Sequence, residues 1–274
     1  MRQVVGGSPS TDERGVSHVL GVVLVVAVVL VAVTATVGFG VAGLTGGTSE
    51  LSETAVERDL VAFADAVDRA TVHSDTASET ATVALSMREL DAGDGRVAVD
   101  DRAGEFELLV RTDGEETRVV DEPLGLVEYR SQDGDARIAY QSGLVFSSPD
   151  TESTPAVLRS NAFDHRIDDG GVESLTVHVT GVSGVDRLHR EMRASTTASE
   201  NRYPDRVLDG DAEIVVRIES AYSEGWAAAL AGTLPADADV SHDVGGNEVE
   251  AVYETPAEGM FLHATHHEVS LDGR

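Results

Sequence analysis

The sequence predicts an α+β protein: an N-terminal transmembrane helix and an amphipathic helix, followed by a β-rich antiparallel, sandwich-like extracellular domain. Three observations predict it. From Val19 to Leu44 the chain is almost entirely apolar; from Leu51 to Val67 apolar residues recur at helical spacing; from about Thr80 the period changes to alternation, punctuated by Asp-Gly turn signals. The limits that follow are 1–15 for a short leader, 16–44 for the membrane helix, 45–73 for a hinge and amphipathic helix, and 80–272 for the ectodomain.

The apolar segment carries no fixed charge between Arg14 and Glu50. A hydrocarbon core about 30 Å thick needs roughly 20 helical residues, which this run exceeds. Between Val19 and Val33 stand nine valines and three leucines, each worth roughly −0.3 to −0.6 kcal/mol near a bilayer centre, a sum on the order of −5 kcal/mol. Charged flanks and the lack of a second such run argue against a core helix of a soluble protein. Val19, Leu20, Gly21, Leu24, Val28 and Val31 are the residues expected to meet lipid or neighbouring helices. Three readings of the run stand side by side. A secretory signal has an apolar stretch of about 7–15 residues and small residues beyond it; Thr34-Ala35-Thr36 and Gly38 are small, but the stretch is too long. An uncleaved anchor needs only the length. The third reading begins at Arg14-Gly15, a basic residue and a glycine set immediately before the run.

That placement resembles the leader of archaeal type IV pilin-like proteins, most closely the N-terminal segments of haloarchaeal pilins and archaellins. The residues that carry the resemblance are Arg14, Gly15, Val16, Ser17, Val19, Leu20 and Gly21. The resemblance covers about 30 of the 274 residues. It implies that prepilin peptidase cuts between Gly15 and Val16, ahead of the apolar segment, and that the partners are that peptidase and other pilin-like subunits. Two residues depart from the pattern: His18 stands where proline is common, and Leu20, fifth after the implied cut, is not the glutamate of bacterial pilins. The missing glutamate removes one device for pairing subunits.

Charge points to a salt-loving source. Asp and Glu number 49 against 20 basic residues, all arginine, for a net charge of −29. Such a charge repels itself in dilute buffer, whereas at 1 M salt the Debye length falls to about 3 Å. The acids are spread along the chain rather than blocked, as suits a hydrated halophilic surface. No basic stripe appears, so nucleic acid is not an expected partner. Two arginines precede the apolar run and Arg58 is the nearest after it, so the short N-terminal end is placed in the cytoplasm and the acidic bulk outside a single-pass membrane anchor. The absence of cysteine removes disulfides and thiolate chemistry. No Asn-x-Ser/Thr acceptor occurs, since Asn161, Asn201 and Asn247 are each followed by other residues.

Past the apolar run, Gly43, Gly46 and Gly47 form a hinge. A second helix follows, capped by Thr48 or Ser49 with Glu50 and Glu53 in its first turn. Its buried stripe is Leu51, Val56, Leu60, Phe63 and Val67, leaving Glu57, Arg58, Asp65 and Asp68 for water. It is the amphipathic half of a pilin helix, a spacer, or the first helix of the head.

Alternation then marks strands. Phe106, Leu108 and Val110 form one set, Leu175, Val177 and Val179 a second, and Ala212, Ile214, Val216 and Ile218 a third. Turn signals stand between them at Asp94-Gly95, Asp113-Gly114, Asp133-Gly134, Asp169-Gly170-Gly171 and Asp209-Gly210. Their spacing suits a meandering antiparallel sheet or sandwich. One helix is expected at Tyr222–Leu234, ending before Pro235, and two polar loops at Ser147–Thr154 and Thr196–Asn201.

Motifs of catalysis are missing. Gly181-Val182-Ser183-Gly184 has the wrong order for a nucleophile elbow, and no phosphate-binding glycine loop opens a helix. Asp91, Asp94, Asp133 and Asp135 fall in turns, where aspartate bonds its own backbone. The best metal candidates are His263, His266 and His267. On a strand His263 and His267 share a face but lie about 13 Å apart, too far for one ion, whereas on a helix they would approach. Alternation of Met260, Leu262 and Ala264 favours the strand, with solvated histidines and neither metal nor cofactor. The expectation is a membrane-anchored, pilin-like surface protein, an accessory or minor filament subunit without catalysis. The alternative is an uncleaved, N-anchored ectodomain for binding or adhesion.

Overall fold

The computed structural model describes residues 53–69, 81–85, 95–150, 153–184, 192–197, 203, 205–243 and 246–273. The leader, the apolar segment with Arg14, Gly15, Val16, Val19, Leu20, Gly21, Leu24, Val28 and Val31, the glycine hinge and the cap at Thr48 or Ser49 lie outside these residues. The chain divides into Met1–Leu51 and Ser52–Arg274, and the second unit holds both helices and every strand described below.

In strands such as Glu213–Ser220 and Glu248–Glu254, alternating apolar residues place one side against a core. Among the described residues, one sheet is wholly antiparallel, in the order β12 (Asp239–Asp243), β13 (Glu248–Glu254), β11 (Glu213–Ser220), β2 (Gly95–Thr112), β3 (Glu115–Ser131), β4 (Arg137–Gln141), β5 (Leu144–Ser148) and β6 (Ala156–Arg159). The other runs β1 (Ala81–Leu85), β9 (Met192–Thr197), β14 (Met260–Gly273), β8 (Glu173–Gly184) and β7 (Phe163–Ile167), with β10 (Arg206–Leu208) also on β14. The three alternating sets of the sequence fall in β2, β8 and β11, except that Ala212 precedes β11. Asp113 and Gly114 close the β2–β3 hairpin with φ of 53° and 82°, the double positive φ of a type I′ turn. Ser142-Gly143, with φ of 46° and 83°, does the same between β4 and β5 without the Asn-Gly or Asp-Gly signature.

The expected all-antiparallel arrangement fails in one place: β14 pairs with β8 in parallel, from Met260↔Glu173 to Leu271↔Gly184. The two strands are far apart in sequence, so no hairpin forces them antiparallel. The expected loops are also shorter, since Ser147 and Ser148 end β5 and Thr196 and Thr197 end β9.

Phe106, Leu108, Ile214, Val216 and Tyr253 of the first sheet meet Leu175, Val177, Leu262 and Ala264 of the second in a sandwich core. A second cluster lies under the first helix, α1, described over residues 53–69. There Val56, Leu60, Phe63, Ala64 and Val67 pack against Val97, Val127, Tyr140, Val182, Val269 and Leu271, and Phe63 meets Tyr140 edge-on at 4.9 Å between centroids. Large apolar side chains so buried are each worth roughly 1.5–3 kcal/mol of transfer free energy. From Val56 to Val67 the stripe is the one the sequence marks, Leu51 lying outside the described residues, but its polar side is not all left to water. Arg159 of β6 donates from Nε to Asp65 at 2.8 Å, from Nη2 to Asp68, and from Nη1 to the Gly143 carbonyl at 2.8 Å. Ser147 likewise donates to Glu57 at 2.6 Å. Thus α1 is fastened to the head by apolar burial below and an arginine fork at its C-terminal end.

Candidate functional site

The histidines sit on β14, as the alternation of Met260, Leu262 and Ala264 requires. His263 and His267 occupy one face, with His178 of β8 between them: His178 is opposite Thr265, and its Nδ1 lies 2.9 Å from Thr265 Oγ1. His266 faces the other way. Solvated strand histidines were expected, and the structure corrects this. His266 is 7% exposed with both ring nitrogens unbonded, its Nδ1 standing 3.6 Å from Glu122. His267 has a buried Nδ1 without a partner, and burial, reinforced by His178 and His266, pushes its pKa down to about 4. His263 pairs with Asp205. Among the described residues no three His, Cys, Asp or Glu side chains are placed to hold a metal ion.

A second place gathers polar groups that no motif announces. The helix α2 (Ser223–Thr233) begins where β11 ends. Its alanines favour helix, and it stops at Leu234, which is extended ahead of Pro235. Trp226 is fully buried and donates Nε1–H to Gln141 Oε1 at 2.8 Å, where Ser220 Oγ also donates at 2.7 Å. Gly225 lets the helix rest on Phe146, whose ring a Cβ would meet at 2.6 Å. Tyr222 stacks on Phe146 at 5.2 Å and donates its hydroxyl to Glu128 at 2.6 Å. Burial first, and then the Glu128 charge, push the Tyr222 pKa upward, so the hydroxyl stays a donor.

This packing holds the N-terminus of α2 at the edge of a cavity of about 190 Å³, lined by the start of β4, the end of β5, the β5–β6 connection and the β12–β13 connection. No side chain caps the helix, and the first amides of a helix have no partner within it. Arg137 lines the cavity with its Nε buried and unbonded. Ser148 lines it too, 5% exposed and without a hydrogen-bond partner among the described residues. Ser223 Oγ lies 2.9 Å from His242 Nε2. These are residue types of nucleophilic catalysis, yet among the described residues no carboxylate bonds the other ring nitrogen, and the pair serves to tie β12 to α2. Asp150, whose carboxylate accepts from Ser153 N at 2.6 Å and Oγ at 2.7 Å, and Glu224 bring negative charge to the rim.

Sequence reading missed this cluster. Arg137, Ser148, Ser223 and His242 come from four separate elements and carry no spacing of their own. The sequence matches the family of unknown function DUF7289 over residues 14–272, so the match takes in Arg14, the apolar run and the head together. No curated protein and no solved structure matches the chain.

Proposed function

Since the chain belongs to the DUF7289 family, whose function is unknown, we propose from its own residues that it is a membrane-anchored, pilin-like surface protein. It is processed at Gly15 and serves as an accessory or minor filament-type subunit without catalytic activity. The observation that carries this reading is the order of parts. Arg14-Gly15 stands directly before an apolar run, and that run is followed by a helix whose apolar residues Val56, Leu60, Phe63 and Val67 are buried on a β-rich head. A subunit held in a filament or membrane by its N-terminal segment transmits load to its head through the connecting helix. The stripe of Val56, Leu60, Phe63 and Val67 and the Arg159 fork supply such a joint. Among the described residues no helix is long and apolar enough to cross a membrane; the reading places the span in the apolar run. The head belongs outside the cell, with prepilin peptidase and other pilin-like subunits as partners and no nucleic acid.

Intact-mass and N-terminal peptide analysis of the protein from its native membranes, kept in high salt, tests the reading. A mature end at Val16 is expected. An end at Met1 or Arg2 would overturn the pilin reading and leave an uncleaved, anchored binding ectodomain, the second reading, which the polar cavity beside α2 favours.

A further inference from the structure

We propose that the cavity at the start of α2 is a binding site for a small hydroxy-carboxylate, of the size and chemistry of one uronic acid residue. The inference does not depend on how the chain is anchored.

In a chain of net charge −29, most half-buried arginines have found carboxylates. Arg111 pairs with Glu116 and Glu213, Arg159 with Asp65 and Asp68, and Arg217 with Glu250 and Glu116. Arg137 has none among the described residues, although its Nε is fully enclosed. The nearby buried carboxylate, Glu128, is already engaged by Arg130 Nε and the Tyr222 hydroxyl. Nε lies out of a ligand's reach, but the guanidinium lines the cavity without a counter-charge among the described residues, and a ligand carboxylate there would supply one.

The other inward groups agree in kind. The Ser148 hydroxyl, on a residue 5% exposed, has no hydrogen-bond partner among the described residues and lines the same cavity. The uncapped amides of Ser223 and Glu224 add donors and the positive end of a helix of 11 residues. A guanidinium, a hydroxyl and two amides converging on one space suit a carboxylate.

The rim sets the rest of the ligand. Asp150 and Glu224 oppose a second negative charge, which disfavours a phosphate dianion or a polysulfate. The same carboxylates can accept hydrogen bonds from hydroxyls, and Asn247 lines the cavity as a further polar side chain. One carboxylate carried on a ring of hydroxyls satisfies both halves. The cavity of about 190 Å³ equals about six waters at roughly 30 Å³ each, which is room for a single pyranose ring.

The test is calorimetric titration of the full-length protein, in detergent micelles and at constant ionic strength, with sodium glucuronate. Glucose and sodium acetate are the comparison probes. Saturable binding of glucuronate is expected, with glucose and acetate each weaker by about tenfold or more. Arg137→Gln, its fold checked by circular dichroism, should weaken glucuronate by about tenfold or more, and Ser148→Ala by several-fold. Ser148→Ala removes one oxygen and keeps the proposal testable if the Arg137 variant does not fold. Absence of saturable binding, equal binding of glucose or acetate, or unchanged binding in the folded variants would overturn the proposal.

Discussion

Gly125 of β3 lies against the backbone of Val182 in β8, so closely that a Cβ at position 125 would stand 2.2 Å from the Val182 carbonyl oxygen and 2.6 Å from its amide nitrogen. The contact joins the two sheets where the chain passes between cores: Leu124 and Leu126 face the sandwich core, whereas Val127 and Val182 face the cluster beneath α1. No rotamer can relieve a clash between a Cβ and backbone. Gly125→Ala must separate the sheets locally and should destabilise the head by on the order of 3 kcal/mol, lowering Tm by about 10 °C. Thermal unfolding followed by circular dichroism in high salt checks it. An unchanged Tm would mean that the strands do not approach as described.

The Arg159 fork gives a local prediction. Arg159 is 15% exposed at its side chain, and its three donors reach Asp65, Asp68 and a carbonyl. Arg159→Met keeps the stem's packing but takes the guanidinium away from Asp65 and Asp68, the latter 20% exposed and still accepting from Asn161 Nδ2 at 2.5 Å. For carboxylates this exposed, the loss is about 1–2 kcal/mol. Amide hydrogen exchange should quicken over residues 53–69 while β2 and β11 stay protected. Uniformly faster exchange across the head would show instead that α1 is integral to global stability.

Acid should weaken the head through the histidines on β8 and β14. Burial holds His267 at about 4 and holds His178 below its ordinary value, although Asp68 pulls His178 the other way. The folded state therefore keeps His267 neutral at a pH where the unfolded chain, with an ordinary value near 6.5, binds the proton. Stability is complete above about pH 6.5, falls as the pH drops toward about 4, and levels off below. A shift of this size corresponds to roughly 3 kcal/mol at most, and the partly exposed ring reduces it to about 2. Urea midpoints between pH 7 and pH 4 should fall less steeply in His267→Gln. Parallel profiles would assign the acid sensitivity to the carboxylates alone.

What the sequence made legible, and what it hid, follows from the range of each interaction. Asp113-Gly114, the stripe from Val56 to Val67 and the helix around Trp226 are set by neighbours within a few residues, and each stands where its pattern puts it. The parallel pairing of β14 with β8 is set by which faces meet, on which alternation is silent. Asp65 and Asp68 read as solvent-facing because the arginine that covers them is over 90 residues away. The cavity was hidden for the same reason. Arg137 and His242 are ordinary polar residues until β4, α2 and β12 converge.

Salt supplies the last prediction, because it sets two effects against each other. Screening weakens favourable pairs such as the network in which Arg111 and Arg217 share Glu116 and hold it below the usual carboxylate range. It also weakens the mutual repulsion of a chain with 49 acidic and 20 basic residues. The pairs are close and few, and a Debye length of about 10 Å at 0.1 M already exceeds their separation. The repulsion acts over longer distances, which are the first to be screened. Tm should therefore rise with NaCl, by roughly 10 °C or more between 0.1 M and 1 M, and flatten once the Debye length nears 3 Å. Sucrose, which stabilises by exclusion from the surface rather than by screening, should not reproduce the steep initial rise. A gain that climbs evenly to 3 M and is matched by sucrose would mean that strengthened apolar burial, not relief of charge, makes the fold depend on salt.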